Sequence, residues 1–391
     1  MVPKARGLMK EAPFLSVILG FALLWGIPSV ALPKMAYRVG ALFAVTGPAS
    51  TVGDPQRKTV EMIEQWINAA GGIDGHPLDV VIYDTEGDEA KAALSLRKLT
   101  EEDGVVAAIG TSDYDIGLSL IPVIGEQEIP FISCTSSITV PLWTKGKRWV
   151  FWVKASTRGV EAIYEHMQRR GIVKIAILTP SSAFGQRGRT DLIKLAPKFG
   201  MEIVLDEKFT PEGGKTKVHV SRVKGVGAQA MINWSEGESQ VEICRHWKDL
   251  RMKVPLYQGP EFGNRRMVEV AGGKADGVLC PVGRLMLMEK LPIEDPQMPA
   301  LIAYTYCFRK KFGTEASPSG GHAWDALWMV VEALRVVGPD QRKIRSFLEE
   351  HVRNWPGVTG IFTMTKKDHC GLTREAFRMG VVKKGTWTLA D

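Results

Sequence analysis

Residues 37–45, YRVGALFAV, form an apolar run of strand length that stops at Thr46, Gly47 and Pro48. A continuous apolar run closed by turn formers is the mark of a strand buried on both faces. The next segment changes period. Over 55–70 the apolar residues Val60, Ile63, Ile67 and Ala70 fall on one helical face, and Gly71 and Gly72 stop the helix with a left-handed cap. The alternation then continues with a strand at 78–83, a helix at 88–102, a strand at 105–109, a helix at 115–127 and a strand at 130–133. Further strand patterns lie at 149–153, 173–178, 202–208, 228–232, 254–258 and 276–281. Helical patterns near 157–170, 186–199, 235–251 and 263–271 separate most of them.

Strands alternating with helices predict an α/β fold of parallel sheets covered on both faces. The strands are too many for one comfortable sheet, which predicts two doubly wound lobes, the first ending near 150. Residues 295–353 read as three helices, 297–312, 321–336 and 340–353, and 358–390 as a β-rich tail. No short-period repeat is visible.

The chain has 391 residues, 45% of them hydrophobic, with 50 Lys and Arg against 43 Asp and Glu. That is ample apolar material for two cores, and it excludes a mostly disordered chain. The net charge of +7 is a mild excess with no long basic block, so it gives no case for nucleic acid. Lys4, Arg6 and Lys10 precede an uncharged run from Phe14 to Ile27, then Pro28 and the small residues Ser29 and Ala31. This is the order of a cleaved secretory signal over residues 1–31, and it predicts a mature protein soluble outside the cytoplasm; an uncleaved anchor helix is the alternative. Export would permit disulfides among Cys134, Cys244, Cys280, Cys307 and Cys370, but an odd count leaves at least one thiol unpaired. No CxxC occurs, which excludes a zinc ribbon or a thioredoxin-type site.

The familiar catalytic signatures are missing: no GxSxG elbow, no HExxH, no GxxxxGK[ST] phosphate loop. The stretch GVGAQA at 225–230 fits GxGxxA, but its glycines follow a helix and precede a strand, the reverse of a dinucleotide fingerprint. An enzyme would need a nucleophile–base pair or a metal cluster, and neither is legible; no catalytic residue, cofactor or metal is expected.

What remains lies at strand C-terminal ends, where open α/β sheets collect ligands. Thr111, Ser112, Asp113 and Tyr114 follow the strand at 105–109. Thr135, Ser136 and Ser137 follow the strand at 130–133. Hydroxyls beside exposed backbone N–H groups suit a carboxylate, or equally cap a helix. Asn233, Trp234, Ser235 and Glu236 follow the strand at 228–232, where Trp234 fits either a core or a stacking role. Glu261 follows the strand at 254–258 and could hold an ammonium group or cap the next helix.

In this order, after a signal sequence, these loops resemble the type I periplasmic solute-binding proteins of ABC importers, nearest the branched-chain amino-acid-binding (leucine/isoleucine/valine-type) group. The resemblance covers nearly all of 36–391. It rests on Thr46, Gly47, Pro48 and Gly53; on NAAGGIDG at 68–75 with Asp84; on Lys98 and Leu99 before VVAAIG at 105–110; on SAFGQ at 182–186; and on Gly259, Pro260 and Glu261.

The resemblance implies two lobes joined by a three-crossover hinge. The N-terminal lobe would comprise 36–153 plus about 284–355, the C-terminal lobe about 154–283 plus about 356–391. Ser112, Asp113 and Tyr114 with Thr135, Ser136 and Ser137 would bind a solute carboxylate. Phe184, Trp234 and Glu261 would close over it, with Glu261 taking an amine. Such a protein receives a branched-chain or aromatic amino acid, or a related small carboxylate, and docks on an ABC permease in the inner membrane. The alternative on the same fold is a periplasmic sensor for amides, urea or aromatic acids. One departure is visible in the residues: an ionised Asp113 would repel a carboxylate unless it pointed away.

Overall fold

The computed structural model describes residues 34–136, 146–210 and 216–390. The first half of the chain alternates β1 (Tyr37–Phe43), α1 (Ser50–Ala69), β2 (Leu78–Asp84), α2 (Glu89–Glu101), β3 (Ala107–Gly110), α3 (Tyr114–Ser119), α4 (Ile121–Gln127), β4 (Phe131–Ser136) and β5 (Val150–Lys154). These strands form a parallel sheet in the order β2-β1-β3-β4-β5. The chain continues through α5 (Ser156–Arg169), β6 (Lys174–Pro180), α6 (Ala183–Leu195), β7 (Glu202–Phe209), α7 (Thr216–Arg222), β8 (Ala230–Asn233), α8 (Glu238–Asp249), β9 (Leu256–Gln258), α9 (Arg265–Ala271) and β10 (Leu279–Gly283). Here the parallel order is β7-β6-β8-β9-β10, the same winding as the first sheet. The fold is therefore two doubly wound α/β lobes.

Three helices follow: α10 (Met298–Phe312), α11 (Pro318–Val337) and α12 (Gln341–His351). They return to the first sheet, where α11 packs along α1 and over β3 and β4. Trp324 of α11 meets Trp66 of α1 edge-on, with ring centroids 5.8 Å apart. The short β11 (Trp355–Pro356) and β12 (Ile361–Phe362) lead back across, and β13 (Phe377–Lys383) and β14 (Thr386–Leu389) extend the second sheet antiparallel from β10.

The chain thus passes between the lobes after β5, after β10 and through 352–376. Buried polar groups tie these passages together. Arg284, 5% exposed, donates to Asp295 (2.9 Å) and to Gln297 (2.9 Å), and Gln297 donates to the Gly357 carbonyl (2.8 Å). Asp325 of α11, fully buried, accepts from the Val358 and Thr359 amides (2.7 and 2.8 Å) and from the Thr359 hydroxyl (2.6 Å).

Several boundaries differ from the sequence pattern for local reasons. Helix α1 begins at Ser50 rather than 55, because Gly53 lets its first turn lie on the Ala44 carbonyl; a Cβ there would sit 2.0 Å from that oxygen. The single helix expected over 115–127 is two, because Pro122 at the start of α4 has no N–H for the preceding turn. Helix α6 begins three residues before 186, because the Ser182 hydroxyl accepts from the Gly185 amide and caps it. No disulfide joins any of the five cysteines. The expected signal at 1–31 lies outside the described residues.

Candidate functional site

In a sheet of order 2-1-3-4-5, the loops leaving the two strands on either side of the order reversal diverge and open a crevice. In the first sheet these are the loops after β1 and β3; in the second, those after β6 and β8. All four loops line one cleft of about 800 Å³ between the lobes. Pro48 and Thr51 come from the first loop, Ser112, Asp113 and Tyr114 from the second, Phe184 from the third, and Glu236 and Gly237 from the fourth. The volume is within the usual range for a small-molecule site.

The expected residues do not all play the parts their positions suggested. Thr135 and Ser136 line the cleft, and both are almost fully buried. Thr135 Oγ1 is 2.9 Å from Ser133 Oγ, and Ser136 shares a hydrogen bond with Ser156. Tyr114 and Phe184 meet edge-on from opposite lobes, centroids 6.0 Å apart, and so form an aromatic wall. Asp113 lines the cleft, but its Oδ1 is turned to the start of α3, where it accepts from the Asp115 and Ile116 amides (2.8 and 3.3 Å). Ser137 lies outside the described residues.

Three expected residues are engaged otherwise than their loop positions suggested. The Ser112 hydroxyl is already spent inside the first lobe: it donates to Gln56 Oε1 (2.6 Å) and accepts from the Ala44 amide (2.9 Å). Trp234 is 1% exposed and does not face the cleft; it fills the space beside Gly188 and Gly259, where neither neighbour has a side chain to exclude it. Glu261 does line the cleft, but it neither stands free nor caps the following helix. Lys154 Nζ donates to its Oε2 at 2.5 Å, Ser156 donates to its Oε1 at 3.3 Å, and Asn264 caps α9 instead.

Lys154, Glu236 and His322 were not anticipated as site residues. Lys154 ends β5, and its last pairing partner is Ser136 of β4, so strand register sets it beside the hydroxyl loop. His322 stands in the second turn of α11, whose capped start supplies Ser317, Pro318 and Ser319 to the same cleft. Burial lowers His322 well below an ordinary histidine, with the Lys154 ammonium adding to the effect, so it is neutral at pH 7. Glu236 is exposed to the water of the cleft, with the cleft wall packed beside it. Partial desolvation by that wall, with the carboxylates of Glu261 and Asp113 nearby, raises it to about 8. The signal for Glu236 was present in the loop after the strand at 228–232; for Lys154 and His322 only the assembled fold brings them to the cleft.

The far edge of the cleft carries a second bridge between the lobes. Arg265 of α9 pairs with Glu315, just before α11, at 3.0 Å, and Arg309 of α10 also reaches Glu315.

Two doubly wound lobes of identical winding, joined by three passages and facing one cleft across their strand ends, are the architecture of a type I periplasmic binding protein. Residues 36–386 match the periplasmic binding protein family, and the chain belongs to it, in the type I group that holds the branched-chain amino-acid-binding proteins. It is similar to the leucine-, isoleucine-, valine-, threonine- and alanine-binding protein of Pseudomonas aeruginosa, with 23% identity over 85% of this chain and 87% of that one. An extracellular ligand-binding receptor from Rhodopseudomonas palustris HaA2 superposes with a TM-score of 0.83 at 22% identity, over 91% of this chain and 100% of that one. The branched-chain amino acid transporter substrate binding protein LivJ of Streptococcus pneumoniae, solved with isoleucine, superposes with a TM-score of 0.77 at 19% identity, over 91% and 99%.

Proposed function

We propose that this chain is the extracytoplasmic receptor of an ABC importer, taking up an amino acid or a related small carboxylate by closure of its two lobes. Residues 1–31 would be removed on export to the periplasm. The N-terminal lobe would comprise 36–153 with about 284–355, and the C-terminal lobe about 154–283 with about 356–391. The observation that carries the reading is the cleft itself: hydroxyls of Thr135 and Ser136 from one lobe, Phe184 and Glu236 from the other, enclosing about 800 Å³. The relatives' names support the amino-acid class.

Ligand trapped between preformed surfaces shifts the open–closed population only through its better contacts in the closed form. Micromolar affinity, roughly −8 kcal/mol, suffices for a receptor that must also release its cargo. The closed form would then dock on the permease.

The test is thermal unfolding of the exported protein, stripped of bound solute by unfolding and refolding, against amino acids, aromatic carboxylates, short amides and urea. A ligand that binds only the native state raises the melting temperature by mass action. A rise with amino acids or small carboxylates is the expected result. A rise only with amides or urea would replace the importer reading by the sensor reading, and N-terminal sequencing of the same sample checks cleavage after Ala31.

A further inference from the structure

We propose that Glu236, and not Glu261, receives the ammonium group of the solute, with the Lys154–Glu261 ion pair left standing beside it. The proposal rests on the reading of the cleft as the solute site and names the group that sets its substrate class.

Glu261 already holds an ammonium, that of Lys154, at 2.5 Å, and a seryl hydroxyl from Ser156. A solute amine would have to displace a lysine anchored at a strand end, and would leave that lysine without its partner in a site where its side chain is only 20% exposed. The exchange would gain one charge-assisted bond and lose another. Glu236 is different. It follows the buried Ser235 in the loop after β8, it lines the cleft and is exposed to its solvent, and among the described residues its carboxylate has no ion pair or hydrogen bond.

The groups facing Glu236 come from every wall. Glu261 stands after β9, Asp113 and Asp115 at the start of α3, Lys154 at the end of β5, with the Tyr114 phenol on the same side. His322 of α11, uncharged at pH 7, lines the same cleft. The groups acting most strongly on Glu236 are three carboxylates against one ammonium, so the balance beside it is negative; Arg265 and Arg266, with Glu269 and Glu315, also line the cleft. A solute carrying only a carboxylate would add to that excess. A solute that brings its own ammonium relieves it, and its carboxylate can turn to the hydroxyls of Thr135 and Ser136. The class selected is therefore an amino acid rather than the same skeleton without its amine.

The choice of acid has a consequence in protons. Partial desolvation and its acidic neighbours raise Glu236 to about 8, so near neutrality a large share of it carries a proton when the cleft is empty. An ammonium arriving there displaces that proton to solvent. Affinity then rises with pH, by up to about tenfold per unit, until Glu236 ionises by itself.

The experiment uses the full exported chain and two matched pairs of probes, L-leucine with 4-methylpentanoate and L-phenylalanine with 3-phenylpropanoate. Titration calorimetry is run on wild type, Glu236→Gln and Glu261→Gln, in two buffers of different ionisation enthalpy to count protons. The ratio of affinities within a pair cancels general damage to the cleft. Expected is a preference for the amino acid in wild type, with a proton released on binding at pH 7. Glu236→Gln should reduce that preference by about 10- to 100-fold and abolish the proton release. Glu261→Gln should weaken both members of a pair alike. A preference that survives in Glu236→Gln and disappears in Glu261→Gln overturns the assignment while the receptor reading stands. So does wild-type binding of only the amine-free acids. If no probe of either kind binds, the receptor reading fails for these solutes and the assignment falls with it.

Discussion

Lys154 and Glu261 join the two lobes at the bottom of a chemical chain: Ser136 to Ser156, Ser156 to Glu261, Glu261 to Lys154 at 2.5 Å. Lys154 closes the last strand of the first sheet, and Glu261 lies just beyond β9 of the second. The pair is partly buried, with side chains 20% and 17% exposed. Its worth should fall between that of an exposed bridge and that of a buried one. Lys154→Met and Glu261→Gln should each destabilise the chain by about 1–2 kcal/mol, and the double variant by less than their sum. Urea unfolding of the four forms gives the coupling directly; strict additivity would falsify the idea that the two act as a pair.

Trp234 predicts a different kind of sensitivity. A Cβ on Gly188 would approach its indole to 2.0 Å, far inside contact distance. The indole belongs to a filled core and has nowhere to retreat. Gly188→Ala should therefore cost about 1–3 kcal/mol by overpacking, although alanine is the better helix former in α6. A lower denaturation midpoint with an unchanged urea dependence is the expected result, and a gain in stability would show that Trp234 can move aside.

Tyr114 and Phe184 meet only because the lobes face each other, with centroids 6.0 Å apart. Aromatic pairs of this geometry contribute about 0.5–1.5 kcal/mol beyond their burial. Tyr114→Leu and Phe184→Leu should each weaken solute binding severalfold with little change in the melting temperature of the empty protein. If both variants bind as tightly as wild type, the two rings pack the wall without contributing to closure.

Asp325 makes stability depend on pH. Burial raises its carboxyl to about 7, against the opposing pull of the Thr359 hydroxyl and the Thr359 and Val358 amides. A carboxyl raised in the folded state holds its proton more tightly than in the unfolded chain. Its contribution is full below the ordinary value near 3.8 and is lost as pH rises through about 7. Asp325→Asn does not titrate, and its amide N–H groups would confront those of Thr359. It should be less stable by about 1–3 kcal/mol at low pH, with the gap narrowing toward neutrality. Urea midpoints of both proteins at about pH 5 and about pH 7.5 decide this, and a gap that widens with pH would sink the account.

The thiols supply a simple check on the hinge and the core. Cys134, Cys244, Cys280 and Cys370 are buried, Cys307 is half-buried, and no disulfide joins them. Burial pushes the Cys134, Cys244 and Cys280 thiols up, away from the reactive thiolate. A thiol reagent should modify Cys307 first and slowly in native protein, and all five rapidly after unfolding. Reductant should leave the melting temperature unchanged.

Sequence period and turn chemistry made the α/β class, the two lobes and the loops after β3 and β8 legible, because a strand buried on both faces and a helix with one apolar face leave different apolar spacings; the loops after β1 and β6 came as ligand-side loops from the resemblance. The residues from 37 to 110 show this well: Gly47, Gly53 and Asp84 are local necessities of one turn, in which Asp84 accepts from the Val45 and Thr46 amides. Element ends were less legible where a cap or a single proline decided them, as at Ser182 and Pro122.

The roles inside the cleft depended on long-range contacts that spacing does not contain. Ser112 stands in the expected loop, but its proton goes to Gln56, 56 residues away. Glu261 stands in the expected segment, but its partner is Lys154, 107 residues away. Trp234 looked equally suited to a ligand and to a core until Gly188 and Gly259 were seen beside it. By itself the sequence determined which segments are strands and helices, and so that ligand loops lie at the strand C-terminal ends; that loops of two lobes meet across one cleft was implied by the resemblance alone. Only the tertiary structure decided which polar atoms in those loops remain unpaired, because a hydrogen bond or a charge is satisfied by whatever the fold brings near, at any distance along the chain.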